Sequence, residues 1–346
     1  MTAANGRLPK IAFAAGIPDG MSSREATKRW KEKRLSGISG ISTALLPWLV
    51  ARGHPLSVVM FGAADPMTPD RARRLAEQAR CRVLVNLICE PEVQRAALSQ
   101  VGRFELETQL PVVNSPWAVA ATTRPLIARR LAHQAGVDAP RCTLYRAGGP
   151  TLAEHIEAHG HRYPVLLRPP GKHGSEGLVR ADDPEAVAVQ AATLRSCTVT
   201  DFVDFRSADG LWRKFRMVYA GDRLFRRHVL TGEGWNLTRE ARNFMRQHPH
   251  LSTEEQEWIN RPVTLDSGSI EARVMHQFRA LQLDFGVIDC ALPANGDLVV
   301  FEINACVQLT NRVDAQAAGD RRFHEENNEE ILRTLLRDIC SRAAAG

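Results

Sequence analysis

Three oxygen-bearing side chains near the end of the chain are spaced as a hard cation requires. In VIDCALPANGDLVVFEIN (287–304), Asp289 lies on one strand-like run, an Asn-Gly pair breaks it, and Glu302 and Asn304 lie on the next. Residues two apart in a strand share a face, so Glu302 and Asn304 project together, and a hairpin brings Asp289 beside them. Two carboxylates and an amide oxygen suit Mg²⁺ bridging phosphates. The ordinary alternative is a pair of exposed edge carboxylates. It fits poorly, because the strand is otherwise apolar and a buried charge needs a partner.

A second group is cationic. YPVLLRPPGKHGSEGLV (163–179) reads as a strand ending at Arg168, then a loop of Gly171, Gly174 and Gly177 interleaved with Lys172, His173 and Ser175. Glycines let backbone N–H groups approach phosphate oxygens, and Arg168 adds charge. Most Gly-rich strand exits are ordinary turns. This one is neither a Walker motif nor a dinucleotide fingerprint. CTVTDFVDF (197–205) begins as a strand whose edge backbone could read an adenine ring. Beyond it, Arg213, Lys214, Arg216, Arg226, Arg227 and His228 sit on two strands joined by a Gly-Asp turn. Alternation sends about half of them to one face, where Arg forks suit carboxylate or phosphate.

The elements that position these groups follow a pattern. KIAFAAG, LSVVMFG, CRVLVNLI and LPVVNSP are short apolar runs separated by helical stretches (41–54, 69–80, 90–102), as in a parallel βαβ sheet covered on both faces. A helix is expected over 121–136, with a Thr start and a Gly stop, and another over 151–160. From 163 the segments are β-rich, with hairpin signals at AGD (220–222) and NGD (295–297), and the tail closes as an amphipathic helix.

Composition bounds the rest. With 346 residues, 44% apolar and 24% charged, the chain is ordinary globular protein, not coiled coil, collagen or disorder. No apolar run is long enough for a membrane span, and the N-terminus lacks a signal-peptide layout, so a cytoplasmic protein is expected. The net charge of +6 suits anionic ligands. Nucleic-acid binding is not expected: only WRKFR interleaves cations with aromatics, and aromatic content is 6%. Seven cysteines without a CxxC pair indicate neither a zinc ribbon nor a disulfide framework. Cys306 reads as a small buried thiol, not a nucleophile.

Taken together, the order of these pieces resembles the ATP-grasp superfamily: a βαβ lobe, PVVNSP with TTRPLIARRLAHQAG, PVLLRP with its Gly-rich loop, a hinge strand, then D…FEIN with 13 residues from Asp to Glu. The layout is that of D-alanine–D-alanine ligase and glutathione synthetase. In detail, FVDFRSADGLWRKFRMVYAGDRLFRRH is most similar to ATP-grasp domains attached to tetratricopeptide regions. The resemblance covers residues 80–312. It implies an α/β fold, α+β in its second half, with a parallel-sheet lobe (1–120), a central lobe carrying the lid loop (121–205) and an antiparallel-sheet lobe with the metal site (206–346).

It also implies roles. Arg129 and Arg168 take the places of two cations, often lysines, that hold ATP phosphates. Lys172, His173, Gly174, Ser175 and Gly177 form the closing loop. Thr200, Asp201, Phe202 and Val203 form the adenine hinge, and Asp289, Glu302 and Asn304 hold one or two Mg²⁺. Arg216 matches an Arg that faces the substrate carboxylate. His228 is a candidate for the developing oxyanion on its residue type alone, with a satisfied structural His as the alternative. The expected activity is an ATP-dependent carboxylate–amine ligase acting on an amino acid or peptide. A small-molecule kinase on the same fold is the alternative, and a homodimer is left open. The family's Pro-Gly after the last metal ligand is replaced here by Ala305-Cys306-Val307, which bears on the acceptor site.

Overall fold

The computed structural model describes residues 10–31, 42–64, 66–172, 175–238, 240–266, 268–293, 296–305, 307, 309 and 322–345. The first part of the chain runs β1 (Ile11–Gly16), α1 (Ser23–Lys31), α2 (Ser42–Ala51), β2 (Leu56–Phe61), α3 (Pro69–Ala79), β3 (Val83–Asn86), α4 (Arg95–Thr108) and β4 (Val112–Val113). Its strands form one parallel sheet in the order β2-β1-β3-β4. The apolar runs of β1 and β3 are buried on both faces, as a covered parallel sheet requires. The helix boundaries follow local chemistry. Thr68 accepts the Arg71 N–H to cap α3, Pro69 stands at its first turn, and Arg80 ends it in the left-handed region.

The expected helix over 121–136 is shorter and starts later. Two Pro-initiated pieces form instead, α5 (Pro116–Ala120) and α6 (Arg124–Leu131), with Thr123 extended before the second. The chain continues through β5 (Val137–Asp138), β6 (Cys142–Arg146), α7 (Leu152–Ala158), β7 (Val165–Arg168), β8 (Val179–Ala181), α8 (Pro184–Ala191) and β9 (Ser196–Asp201). Thr151 and Glu154 form a reciprocal capping box at α7, and Asp183 caps α8. Strands β6-β9-β7-β8 make an antiparallel sheet whose inner face packs Tyr145, Val165, Leu167 and Val199 against Leu152, Ile156 and Val187 of the two helices.

The last part comprises β10 (Trp212–Ala220), β11 (Arg223–Gly232), α9 (Ala241–Gln247), α10 (Pro249–Asn260), α11 (Ile270–Leu281), β12 (Phe285–Ala291), β13 (Leu298–Asn304) and α12 (Arg322–Ala345). The sheet order is β11-β10-β12-β13-β5, antiparallel except for the β13–β5 pair. The β10–β11 turn is the expected one: Gly221 and Asp222 both have positive φ (54° and 58°), as a type I′ hairpin needs. Asn114, just past β4, stitches the parallel sheet to this one. Its Nδ2 donates to the Phe285 carbonyl (2.9 Å), and its Oδ1 accepts from the N–H groups of Asp284 (2.8 Å) and Phe285 (3.0 Å). A shared core of Phe13, Val85, Val113, Val218, Val287 and Ile331 backs the joint. Among the described residues, no helix is long and apolar enough to cross a membrane.

Candidate active site

Strand register builds the site. His228 of β11 faces Arg216 of β10, Arg216 faces Asp289 of β12, and Asp289 faces Glu302 of β13. Directly opposed residues project to one face, so four of the expected site residues form a single row across four strands. Asn304, two residues beyond Glu302, shares that face. Within the row, Arg216 clasps Asp289 with both prongs, Nε to Oδ1 at 2.5 Å and Nη2 to Oδ2 at 2.6 Å, and Lys214 Nζ lies 3.8 Å from Asp289 Oδ2. Asp289 is buried, with 4% of its surface exposed, so its charge depends on these partners.

The opposite wall is cationic. Arg168, ending β7, lies close enough to Arg124, Glu302, Glu92 and Asp289 for all four to act on its charge. Burial, then Arg124, lowers its pKa, while the three carboxylates oppose them. Arg124 forms an ion pair with Glu302. Burial works to lower the Arg124 pKa, yet Glu302 and Glu92 outweigh it and leave it above its ordinary value. Arg124, Arg168, Lys214 and Arg216 therefore meet Asp289, Glu302 and Glu92. Four cations against three carboxylates leave a positive field for an anion.

Arg129, the cation expected from the motif, is not in this group. It is exposed in the last turn of α6. Five residues from Arg124 is roughly 140° around a helix at 3.6 residues per turn, so one helix cannot aim both inward. The sequence does not single out Arg124, because the three arginines of this short helix differ only in phase. Glu92, on the turn after β3, carried no motif at all.

Arg213 and Arg226 also serve elsewhere. Arg213 binds Asp209 and Glu254. Arg226 is buried on Glu271 (Nε to Oε1, 2.9 Å) and on the carbonyl of Arg261 (2.6 Å). A bulge between Arg216 and Met217 sets Arg226 opposite Met217 and away from the row. Arg227 is fully buried, and burial followed by the charges of Arg216 and Arg242 pushes its pKa down to about 10. His228 is held well below its ordinary value by burial, then by Arg216, Arg242, Arg227 and Lys214, so it is neutral at pH 7.

The Gly-rich loop spans two parts of the molecule. The Gly171 N–H donates to Glu92 Oε2 (3.1 Å), and Ser175 Oγ donates to Asn236 Oδ1 (2.6 Å). Gly171, Ser175 and Gly177 all have positive φ. Lys172 turns outward to an ion pair with Glu176, and its carbonyl accepts from Arg168 Nη1 (3.4 Å). His173, Gly174 and Cys306 lie outside the described residues. The hinge strand is not the expected sheet edge: β9 lies between β6 and β7, so its ladder groups are paired on both sides. Thr200 Oγ1 donates to Cys142 Sγ (3.3 Å) and the Asp201 carboxylate turns to His161. Phe202 and Val203 join an aromatic cluster in which Phe205 meets Trp212 (4.6 Å) and Phe301 (4.8 Å). Phe301 immediately precedes Glu302, so this apolar wall leads directly to the charged row.

Hard oxygen donors side by side on two strands fit a divalent cation such as Mg²⁺. Among the described residues no three of His, Cys, Asp and Glu cluster as a metal site. The residues that could hold such an ion here are Asp289, Glu302 and Asn304, with Asp289 engaged by Arg216 and Glu302 by Arg124. Beside the cations lies a cavity of about 470 Å³ lined by Glu92, Arg95, Leu98, Trp117, Leu126 and Arg146. A second cavity of about 490 Å³ lies near Arg223, Val263 and Glu330. Neither is lined by an expected site residue; the first reaches Glu92 and the neighbours of Arg124, Thr123 and Pro125.

No family model matches the chain, and no curated protein does. Solved structures do. A D-alanine–D-alanine ligase from Bacillus anthracis complexed with ATP is 12% identical, with 98% of this chain and 100% of that one covered at a TM-score of 0.55. A D-alanyl-alanine synthetase A from Vibrio cholerae is 13% identical over 98% and 99%, with a TM-score of 0.56. A RimK domain ATP-grasp protein from Sphaerobacter thermophilus is 15% identical over 95% and 99%, with a TM-score of 0.52. Coverage is near-full in each case: this chain shares the mixed α/β fold of these ligases and of the RimK domain ATP-grasp protein.

Proposed function

We propose that the chain is an ATP- and Mg²⁺-dependent carboxylate–amine ligase. The observation that carries this reading is the row His228–Arg216–Asp289–Glu302 facing Arg124 and Arg168. The ligases among its structural neighbours, which include an L-amino acid ligase from Bacillus licheniformis, support it at the level of reaction type. In this reading a substrate carboxylate oxygen attacks the γ-phosphorus, the bond to the bridging oxygen breaks, and ADP leaves. An amine then attacks the acyl carbon, phosphate departs, and the amine proton passes to solvent or a nearby base.

Phosphoryl transfer depends mainly on positioning and charge neutralisation. Arg124 and Arg168 hold the phosphates, and Phe202 and Val203 flank the base. Arg216 exchanges part of its hold on Asp289 for the substrate carboxylate. His228, kept neutral, donates a hydrogen bond to the developing oxyanion without adding charge. Asp289, Glu302 and Asn304 would hold Mg²⁺, which neutralises phosphate charge when bound. The cavity beside Glu92 gives the acceptor amine an approach to the same place.

The test is an ADP-release screen over pairs of amino acids and dipeptides, with mass spectrometry of the product. A ligase yields an amide and free phosphate. Product that retains phosphate would establish the kinase alternative instead. Glu302→Gln should abolish turnover with an unchanged fold, and near-normal ADP release in that variant would remove the metal-site assignment.

A further inference from the structure

One polar chain in the central sheet has no part in the chemistry above. Asp201 Oδ1 accepts from His161 Nδ1 (2.6 Å) and from the Arg162 N–H (3.3 Å). His161 Nε2 meets Thr143 Oγ1 at 2.7 Å, and the same oxygen meets His155 Nε2 at 2.9 Å. The His155 ring in turn lies 4.0 Å from that of His159. One direction follows from chemistry: a carboxylate only accepts, so His161 Nδ1 carries the hydrogen. The Thr143 hydroxyl stands between Nε2 of His161 and Nε2 of His155. Burial, then His159 and His161, lower the His155 pKa. The His161 side chain is wholly withdrawn from solvent. A satisfied buried chain of this kind rigidifies the group at its end.

That group is the turning point of the hinge. Asp201 is the last residue of β9; its N–H is bonded to the Arg141 carbonyl (2.9 Å), and the next N–H, of Phe202, to the Pro164 carbonyl (3.0 Å). Strand alternation sends the Asp201 side chain to the α7 side and Thr200 to the opposite face, toward the cleft. We propose that His161 is a positioning residue for the hinge: held by Thr143 and His155, it pins Asp201, the end of β9, and so fixes the Phe202–Val203 segment that follows, where an adenine ring is read. This inference rests on the nucleotide reading above.

The full chain is titrated by calorimetry with Mg·ADP and, separately, with Mg·tripolyphosphate, which has phosphates but no base. His161→Phe, which removes both ring nitrogens, should weaken Mg·ADP about tenfold, the scale of one hydrogen bond to a charged group, and leave Mg·tripolyphosphate unchanged. His161→Asn, whose amide reaches the Nδ1 position, should restore most of the affinity. If the phenylalanine variant does not fold, His161→Gln, which reaches the Nε2 position instead, takes its place with the same expectation. Equal losses for both ligands, or an unchanged Mg·ADP affinity, would overturn the hinge role while leaving the nucleotide reading intact. A wild-type chain that binds neither ligand would overturn both.

Discussion

Arg216 and Asp289, cross-strand neighbours in β10 and β12, are joined by two parallel hydrogen bonds of 2.5 and 2.6 Å. One was expected to meet a substrate carboxylate and the other a metal. Their pairing makes the two side chains a single electrostatic unit; under the proposed function, a ligand anion or cation would enter by exchange with the partner already present. It also explains how a carboxylate survives in a strand whose other residues belong to the core.

The pair makes a stability prediction. Arg216→Ala leaves Asp289 buried without its fork and should cost about 3–5 kcal/mol, the range for breaking a buried pair. Lys214, 3.8 Å from Asp289, draws the value toward the lower end. Arg216→Lys keeps charge but loses the planar fork, and should cost roughly 1–2 kcal/mol. Urea denaturation of the two variants checks the order. An alanine variant as stable as wild type would mean that the pair does not hold these strands together.

Helix phase gives a second prediction. Arg124 is half-buried on Glu302, and Arg129 is exposed. Arg124→Ala should weaken Mg·ADP by roughly 30-fold or more, the worth of one desolvated charge-assisted contact. Arg129→Ala should stay within about twofold, as surface charges do. Calorimetry on both reads the contrast, and the reverse pattern would return the phosphate role to Arg129.

That contrast shows what the sequence made legible. Features written in local chemistry were readable: the apolar runs of β1 and β3, the Gly221–Asp222 hairpin, and the alternation that puts Glu302 and Asn304 on one face. The hairpin that brings Asp289 beside Glu302 was readable too, but its register was not: Cys290 pairs with Val300, and an irregularity before it sets Asp289 opposite Glu302. Features fixed by distant partners were not. Arg226 reads like Arg216 until Glu271, 45 residues away, is seen to bind it, and the bulge at Met217 breaks the alternation that would have sorted the two. Glu92 heads the stretch expected to be helical (90–102), but α4 begins only at Arg95, and Glu92, in the turn before it, acquires meaning only when the loop at Gly171 lands on it.

His228 gives a pH dependence. Its folded pKa is depressed by burial and four neighbouring cations, from an ordinary value of 6.5. Above that value both folded and unfolded states hold it neutral, and stability is independent of it. Below pH 6.5 the unfolded chain takes up a proton that the folded one refuses, so stability falls by at most about 1.4 kcal/mol per pH unit for this one group. Melting temperature should therefore drop between pH 6.5 and 5, and His228→Gln should flatten part of that slope. Parallel slopes in the two proteins would assign the fall to other groups.

The lid provides the last prediction. Gly171 has φ of 67°, a region that L side chains enter only with strain. A Cβ placed there would also lie 2.9 Å from Val93 Cγ1, on the turn that carries Glu92. Gly171→Ala therefore has two costs: roughly 1 kcal/mol of backbone strain and a clash that pushes the loop off that turn. The displaced contact is the Gly171 N–H to Glu92 Oε2, so Glu92 loses its tether beside Arg124 and Arg168. Trypsin reports the outcome, because Lys172 stands in the loop. In wild type, Mg·ATP should slow cleavage after Lys172, as a lid closing over nucleotide does. In Gly171→Ala the cut should be faster without nucleotide and less protected with it. Adding Val93→Ala relieves the clash but not the φ strain, so the double variant should recover part of the protection. Equal cleavage of wild type and Gly171→Ala, with and without Mg·ATP, would detach the loop from the nucleotide site.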